Sequence, residues 1–264
     1  MTVLAVPVAL AVGLVIGALG GGGAILTVPA LVHLLGQSPH QATTSSLVIV
    51  GTTSLIAMAP HARRGNIRVG QGLTFGLLGV AGSVTGSAVS ARISGEVLLL
   101  TFAGLMLVVA ALMVRKALSH ATDEPDEPTE PMLTLRPLTC ACPRVVKVVV
   151  TATTVGLLTG LLGVGGGFIL VPALVLALSL PMPAAVGTSL LVIAINSATA
   201  FAARVTLTPE PIDWQLIAAF TTVAAIGSLA GARLSTRLPA RAQTVAFAAL
   251  LTLVATYTAA ATLL

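Results

Sequence analysis

The chain has 264 residues, of which 56% are hydrophobic and only 8% charged, and its formal net charge is +5. Soluble domains carry about 25% charged residues, so this composition excludes an ordinary soluble enzyme or binding domain. The basic residues lie in short segments between apolar runs, which is typical of the loops of a multi-pass membrane protein and not of a nucleic-acid-binding surface. The sequence therefore predicts an all-α integral membrane protein in a lipid bilayer.

The first apolar region, residues 3–35, is longer than the roughly 20 residues that cross a bilayer once. Four consecutive glycines, Gly20 to Gly23, interrupt it, and Pro29 follows them. Glycine weakens a helix and proline removes a backbone hydrogen bond, so we expect a broken helix with Pro29 as one of its breaking residues. Because lipid cannot satisfy exposed backbone groups, the break must be buried or line a cavity.

Uninterrupted apolar segments, a hydrophilic linker and a second set of apolar segments follow in chain order. The linker is predicted over 117–144, and its stretch 121–131 holds five of the chain's eight acidic residues together with three prolines. Such a composition is typical of a solvated, extended segment. It separates a first transmembrane unit, 1–116, from a second, 145–264. The predicted helices are 43–60, 70–91 and 96–116 in the first unit, and 146–178, 185–203, 212–234 and 240–262 in the second.

The two units repeat one pattern. Residues 17–32, GALGGGGAILTVPALV, match residues 160–175, GLLGVGGGFILVPALV, at ten of 16 positions with a constant offset of 143. Farther along, Gly82-Ser83-x-x-Gly86 recurs as Gly227-Ser228-x-x-Gly231, at an offset of 145. Constant register over both blocks indicates two tandem homologous repeats, so the second unit should also begin with a broken helix, at Pro172.

Two topologies fit the repeats. If each broken segment crosses the membrane fully, the chain has eight spans and parallel repeats. If each turns back, a repeat has three full spans plus a re-entrant hairpin, and the second repeat is inverted. The inverted arrangement moves Arg233, Arg237 and Arg241 to the cytoplasmic side and Arg204 away from it, which raises the cytoplasmic share from nine to 11 of the 13 Lys and Arg residues. The positive-inside rule therefore favours inverted repeats.

The two blocks Gly17-x-x-Gly20-Gly21-Gly22-Gly23-x-x-x-x-Val28-Pro29-x-Leu31 and Gly160-x-x-Gly163-x-Gly165-Gly166-Gly167-x-x-x-Val171-Pro172-x-Leu174, with a hydrophilic segment between the halves, resemble the sulfite exporter TauE/SafE family. The resemblance covers nearly the whole chain. It implies a secondary anion transporter of the bacterial inner membrane, which exports sulfite or small organosulfonates. A permease for another small anion or sulfur compound, or an accessory membrane protein without transport, remains as the alternative.

The residues suit an anion. A helix that starts just after a glycine cluster points free N–H groups and the positive end of its dipole at a ligand, and two such helices would meet at one midplane site. Close helix packing through small residues is the other interpretation. The candidate substrate-binding glycines are Gly20, Gly22, Gly23, Gly163, Gly165 and Gly166.

Hydroxyl and amide side chains add possible ligands. Ser45 and Ser46 in the first repeat, and Thr188 and Ser189 in the second, lie at the predicted start of a helix, where they either cap it or donate to the anion. Asn196 lies deeper in an apolar span, where an amide is costly unless it is bonded, so it indicates either contact between helices or the permeation path.

Several chemistries are not indicated. No in-span Asp pair, His-x-x-x-His motif or Ser/His arrangement is present, so no enzyme is predicted. The scattered histidines predict no metal site and no cofactor, and Cys140 and Cys142 are interpreted as incidental thiols. Because no acidic residue lies in the middle of an apolar span, any proton coupling must use the bound anion, a histidine or a loop carboxylate.

Overall fold

The computed structural model describes residues 2–20, 24–119, 142–162, 167–177, 180–207, 212–235 and 237–263, and these residues form helices and short connections without a β-strand. Five helices in this part of the chain are long and apolar enough to cross a membrane. The helices are α1 Thr2–Leu19, α2 Ala24–Pro29 (continued by a π-helical turn, Ala30–Leu34), α3 Pro39–Arg63, α4 Val69–Ser90, α5 Gly95–Ser119, α6 Cys142–Leu162, α7 Gly167–Ala177, α8 Met182–Leu207, α9 Trp214–Ser235 and α10 Ala240–Leu263.

The first apolar region is interrupted at the start of its glycine cluster, as the sequence predicts. α1 ends at Leu19 and α2 begins at Ala24, while α6 ends at Leu162 and α7 begins at Gly167. Gly20 follows α1 with φ of +67°, a left-handed conformation that glycine adopts without a steric penalty. The helices of the two halves correspond at the offsets of the sequence: α3 and α8 begin 143 residues apart, and α4 and α9 begin 145 apart.

The two prolines differ in their effect on the helix. Pro29 is the last residue of α2, where the α-helix changes to the π-helical turn Ala30–Leu34, whereas Pro172 lies in the middle of α7 without ending it. A proline inside a helix removes one i to i−4 hydrogen bond, and burial of the surrounding apolar side chains offsets that loss. Leu170 and Leu174, one turn apart in α7, are fully buried.

The predicted linker is shortened at both ends, because α5 continues to Ser119 and α6 already begins at Cys142. The rest of the predicted linker, including Cys140, lies outside the described residues. α3 also begins four residues before its predicted start. Ser38 caps its N-terminus in a reciprocal pair with Gln41, and Pro39 occupies the first helical turn.

The first helix of each half packs against the third long helix of the other half. α1 contacts α9, and α6 contacts α4. Glycines make these contacts: a Cβ atom on Gly17 would collide with the carbonyl oxygen of Ser228, and one on Gly160 with that of Ser83. Backbones this close leave no room for a methyl group, which is the small-residue packing of membrane helices.

α3 and α8 cross in opposite directions at the centre of the molecule, and α5 packs against α10 beside them. The Thr43 end of α3 bonds Arg204 at the C-terminal end of α8, whereas Gly51, near the middle of α3, faces Ser197. Contacts whose residue numbers rise on one helix and fall on the other define an antiparallel pair. Along this central pair, residues of the first half on α3 therefore face residues of the second half on α8.

Candidate functional site

Polar side chains form a stripe along α8. Ser189, Asn196 and Arg204 are spaced by seven and eight residues, about two helical turns, so they share one face. All three are buried, with Arg204 the most exposed at 3%. α3 carries the corresponding stripe at an offset of 143, and its members Ser46, Thr53 and His61 are buried as well. The two polar faces lie on the helices that cross at the centre.

The middle of both stripes holds polar atoms that are buried and unsatisfied. The amide oxygen and nitrogen of Asn196 and the hydroxyls of Ser197 and Ser54 have no hydrogen-bond partner among the described residues. Asn196 and Ser54 are fully buried. Gly79 of α4 makes room for the Asn196 side chain, since a Cβ atom on residue 79 would lie 2.8 Å from the amide oxygen of Asn196. A buried polar group without a partner costs free energy, so these atoms are available to bond a polar ligand or an ordered water.

One end of the α8 stripe is Arg204. Its guanidinium donates to the Thr43 hydroxyl at 2.9 Å and to the Ser90 hydroxyl at 2.8 Å. It also donates to the carbonyl oxygens of Gly160 and Leu161 at 2.9 and 3.0 Å. These carbonyls belong to the last turn of α6, whose negative dipole end favours a cation. Arg204 therefore connects α8 to α3, α4 and α6 just before the second glycine cluster.

The corresponding residue of the first half is His61, in the last turn of α3. Its Nε2 lies 3.2 Å from the carbonyl oxygen of Gly17 in the last turn of α1. Gly17 and Gly160 correspond at the offset of 143, as do His61 and Arg204. Each half thus places a basic side chain against the carboxyl end of its own first helix.

The predicted glycine site is placed only in part. Gly20 lies at the His61 end, where a Cβ would be 2.8 Å from the Ser189 hydroxyl. The other candidate glycines, Gly22, Gly23, Gly163, Gly165 and Gly166, lie outside the described residues.

The hydroxyls at the starts of α3 and α8 do not cap these helices. Ser46 donates to the carbonyl oxygen of Thr43 at 2.9 Å, and Ser189 donates to that of Val186 at 2.8 Å. The Thr188 hydroxyl accepts the backbone N–H of Arg68 at 3.0 Å. Ser45 is buried in the same part of α3. The capping alternative is wrong for α3, because the helix begins earlier, at its Ser38 cap.

The candidate residues do not gather at one point. Gly20, Thr188 and Ser189 lie at the His61 end, Ser45 and Ser46 lie towards the Arg204 end, and Asn196 lies between. His61 and Thr43 are 18 residues apart on α3, about 27 Å along a helix that rises 1.5 Å per residue. His61 bonds Gly17 at the carboxyl end of α1, and Arg204 bonds Gly160 at the carboxyl end of α6, so these two carboxyl ends lie near opposite ends of α3. α2 and α7, which follow the two glycine clusters, contact each other. One site shared by both breaks stays a prediction, because most of the cluster glycines lie outside the described residues.

Sequence reasoning did not select His61 or Arg204 as site residues. Arg204 was counted among the loop charges and His61 among the scattered histidines. The offset of 143 between the two residues is visible in the sequence and indicates that they are equivalent positions of the repeat. Their burial cannot be predicted from the sequence, because it depends on which helices of the other half cover them.

Comparisons with known proteins agree with the helical membrane architecture. The family described as Sulfite exporter TauE/SafE matches residues 5–258. A "Probable membrane transporter protein" of Xylella fastidiosa (strain 9a5c) is 33% identical over 233 residues, which cover 87% of this chain and 83% of that protein. "Probable membrane transporter protein YdhB" of Bacillus subtilis (strain 168) is 26% identical over 231 residues, 86% of this chain and 87% of that protein. No solved structure matches the chain. With its multi-pass helical fold and a family match over nearly its whole length, the chain belongs to the sulfite exporter TauE/SafE family of membrane transporters.

Proposed function

We propose that this protein is a secondary transporter that exports sulfite or a small organosulfonate anion across the bacterial inner membrane by alternating access. The anion binds where α3 and α8 cross, against Asn196, Ser197 and Ser54. The observation that carries this proposal is that these buried side chains hold polar atoms without a protein partner. Family membership supports transport as the activity.

The chemistry of the crossing favours an anion as the ligand. The amide of Asn196 and the hydroxyls of Ser54 and Ser197 can each donate a hydrogen bond. Neither α3 nor α8 contains an aspartate or glutamate that would repel a negative charge. Arg204 lies eight residues beyond Asn196, about 12 Å along α8, and contributes positive potential in a medium that screens it poorly.

The antiparallel crossing supports inverted repeats. Corresponding helices of parallel repeats would run in the same direction, yet α3 and α8 run in opposite directions. The contacts of Thr43 with Arg204 and of Gly51 with Ser197 place the crossing near residues 52–53 of α3 and 195–196 of α8. A pseudo-two-fold axis there lies across the helices, as in transporters built from inverted repeats. Asn196 then occupies the middle of the pathway, and the axis relates the two ends of the pathway to each other.

Anion flux into proteoliposomes tests the activity. Purified protein would be reconstituted, and uptake of sulfite, sulfoacetate, taurine and sulfate would be compared with uptake by protein-free vesicles. We expect saturable uptake of at least one sulfur oxyanion. If protein that keeps its helical circular dichroism and elutes as a single species carries none of them, the transport proposal is wrong and the accessory-protein alternative is favoured.

Replacing Asn196 with leucine separates a ligand from a structural contact. We expect Asn196→Leu to lower anion uptake at least tenfold while the unfolding temperature stays the same or rises, because an unsatisfied buried amide gives way to an apolar side chain of similar size. The measurements are initial uptake rates and thermal unfolding in detergent. A fall in the unfolding temperature with proportionate loss of folded protein would instead make Asn196 a helix-to-helix contact.

Cysteine labelling tests the inverted arrangement. The native Cys140 and Cys142 report the linker, and a cysteine appended after Leu264 in a variant without them reports the C-terminus. Inverted repeats place the linker in the cytoplasm and the C-terminus on the opposite side. We therefore expect an impermeant maleimide to label the appended cysteine in intact spheroplasts, and the native pair only after lysis. Cytoplasmic location of both sites would contradict inverted repeats.

A further inference from the structure

His61 is a buried titratable side chain at one end of the polar stripes. It is 1% exposed, and its Nδ1 has no hydrogen-bond partner among the described residues. Its other ring nitrogen, Nε2, faces the Gly17 carbonyl oxygen at 3.2 Å. A carbonyl can only accept, so this contact assigns the hydrogen to Nε2 and leaves the Nδ1 lone pair of the neutral ring without a donor among the described residues. Protonation turns Nδ1 into a donor and gives the ring a positive charge.

The repeat supplies the comparison for this position. Arg204 corresponds to His61 and carries its charge at every physiological pH. Both residues lie on the central polar faces, two helical turns beyond Thr53 and Asn196 respectively. The two ends of the pathway thus offer equivalent basic groups, one with a permanent charge and one with a charge that depends on pH.

The charged groups around His61 are cationic. Arg63 is the last residue of α3 and Arg64 follows it, and Arg64 reaches α9, where it donates to the carbonyl oxygen of Ala232 at 2.9 Å. Arg68, whose backbone N–H bonds the Thr188 hydroxyl, also lies at this end. Arg233 follows on α9 itself. α1, α2 and the first half of α8, which supply the other contacts at this end, contain no charged residue. With no carboxylate on these elements to balance an imidazolium, an incoming anion is the group that can stabilise one.

We propose that His61 is an anion-binding residue whose protonated imidazolium donates from Nδ1 to the transported anion. The affinity of this end of the pathway for the anion then increases as His61 becomes protonated. The inference rests on the proposed transport function and adds the second end of the pathway to the Asn196 site. The proton comes from solution when the anion arrives and returns to solution when the anion leaves. No covalent bond changes.

The test compares the pH dependence of three proteins in proteoliposomes. Uptake of sulfite and of methanesulfonate, which keeps a single negative charge throughout, would be measured from pH 6 to pH 8 for the wild type, His61→Arg and His61→Gln. The wild-type KM for methanesulfonate should rise at least about fivefold across this interval, because anion binding requires a proton on His61 and the proton concentration falls a hundredfold. His61→Arg should keep a low KM at both pH values, and His61→Gln a high one at both.

His40→Gln is the matched control, because His40 lies in the first turn of α3, far from His61, and is partly exposed. Its pH profile should follow that of the wild type. A wild type that carries methanesulfonate with a KM that does not vary with pH would overturn the inference and leave the transport function intact. The same conclusion follows if His61→Gln retains the wild-type profile. Absence of uptake of every anion by the folded wild type would instead overturn the transport function itself.

Discussion

Arg204→Gln is expected to destabilise the protein more than any other single polar substitution considered for this chain. The guanidinium is 3% exposed and donates to Thr43 on α3, to Ser90 on α4 and to two carbonyl oxygens in the last turn of α6. Glutamine is shorter and uncharged, so most of these buried acceptors lose their donor. Removing one partner from a buried charged network typically costs about 3–5 kcal/mol.

Unfolding followed by circular dichroism in detergent measures this effect, and Arg92→Gln provides the control. Arg92 is exposed, so its substitution should change the free energy of unfolding by no more than about 0.5 kcal/mol. Arg204→Lys should fall between the two, since lysine keeps the charge but cannot span the same set of acceptors. An Arg204→Gln protein as stable as the Arg92→Gln protein would show that the network contributes little to folding.

The end of α1 at its glycine cluster and the order of the described helices could be predicted from the sequence, because they depend on local properties. Four consecutive glycines end α1 wherever the helix packs, and the apolar runs exceed the length of a span. The start of α3 was predicted too late because the segment before it is polar. The pair of Ser38 with Gln41, at capping-box spacing, was the local signal that would have corrected it.

The effect of the prolines on their helices and the position of the candidate site depend on tertiary packing, which the sequence shows less directly. Pro172 is a helix breaker by propensity, but it lies in the middle of α7, where Leu170 and Leu174 on either side of it are fully buried. The expectation of one site at both breaks depends on whether the helices that start after the glycine clusters bring their N-termini together. α2 and α7 contact each other, but most of the cluster glycines lie outside the described residues, so one shared site stays a prediction.

Gly160→Ala is the second substitution with a large expected effect, and it bears on what the motif glycines do. A Cβ at Gly160 would collide with the Ser83 carbonyl oxygen and lie 2.8 Å from the Ser87 backbone nitrogen. Neither is the end of a flexible side chain, so α4 and α6 must move apart. Overpacking of this kind costs about 1–3 kcal/mol, and we expect the upper part of that range because only backbone can yield. Gly17→Ala should act alike between α1 and α9, where the Ser228 carbonyl oxygen blocks the added methyl group.

Gly104→Ala is the matched control, because a Cβ at this helical position of α5 meets nothing within 4 Å. It should raise the free energy of unfolding by up to about 1 kcal/mol, since alanine favours a helix more than glycine does. Anion uptake by the Gly160→Ala protein then separates two roles of the motif. If uptake falls only with the amount of folded protein, Gly160 serves packing, and the anion pathway lies along the polar faces of α3 and α8. Wild-type stability with abolished uptake would instead place Gly160 in contact with the anion.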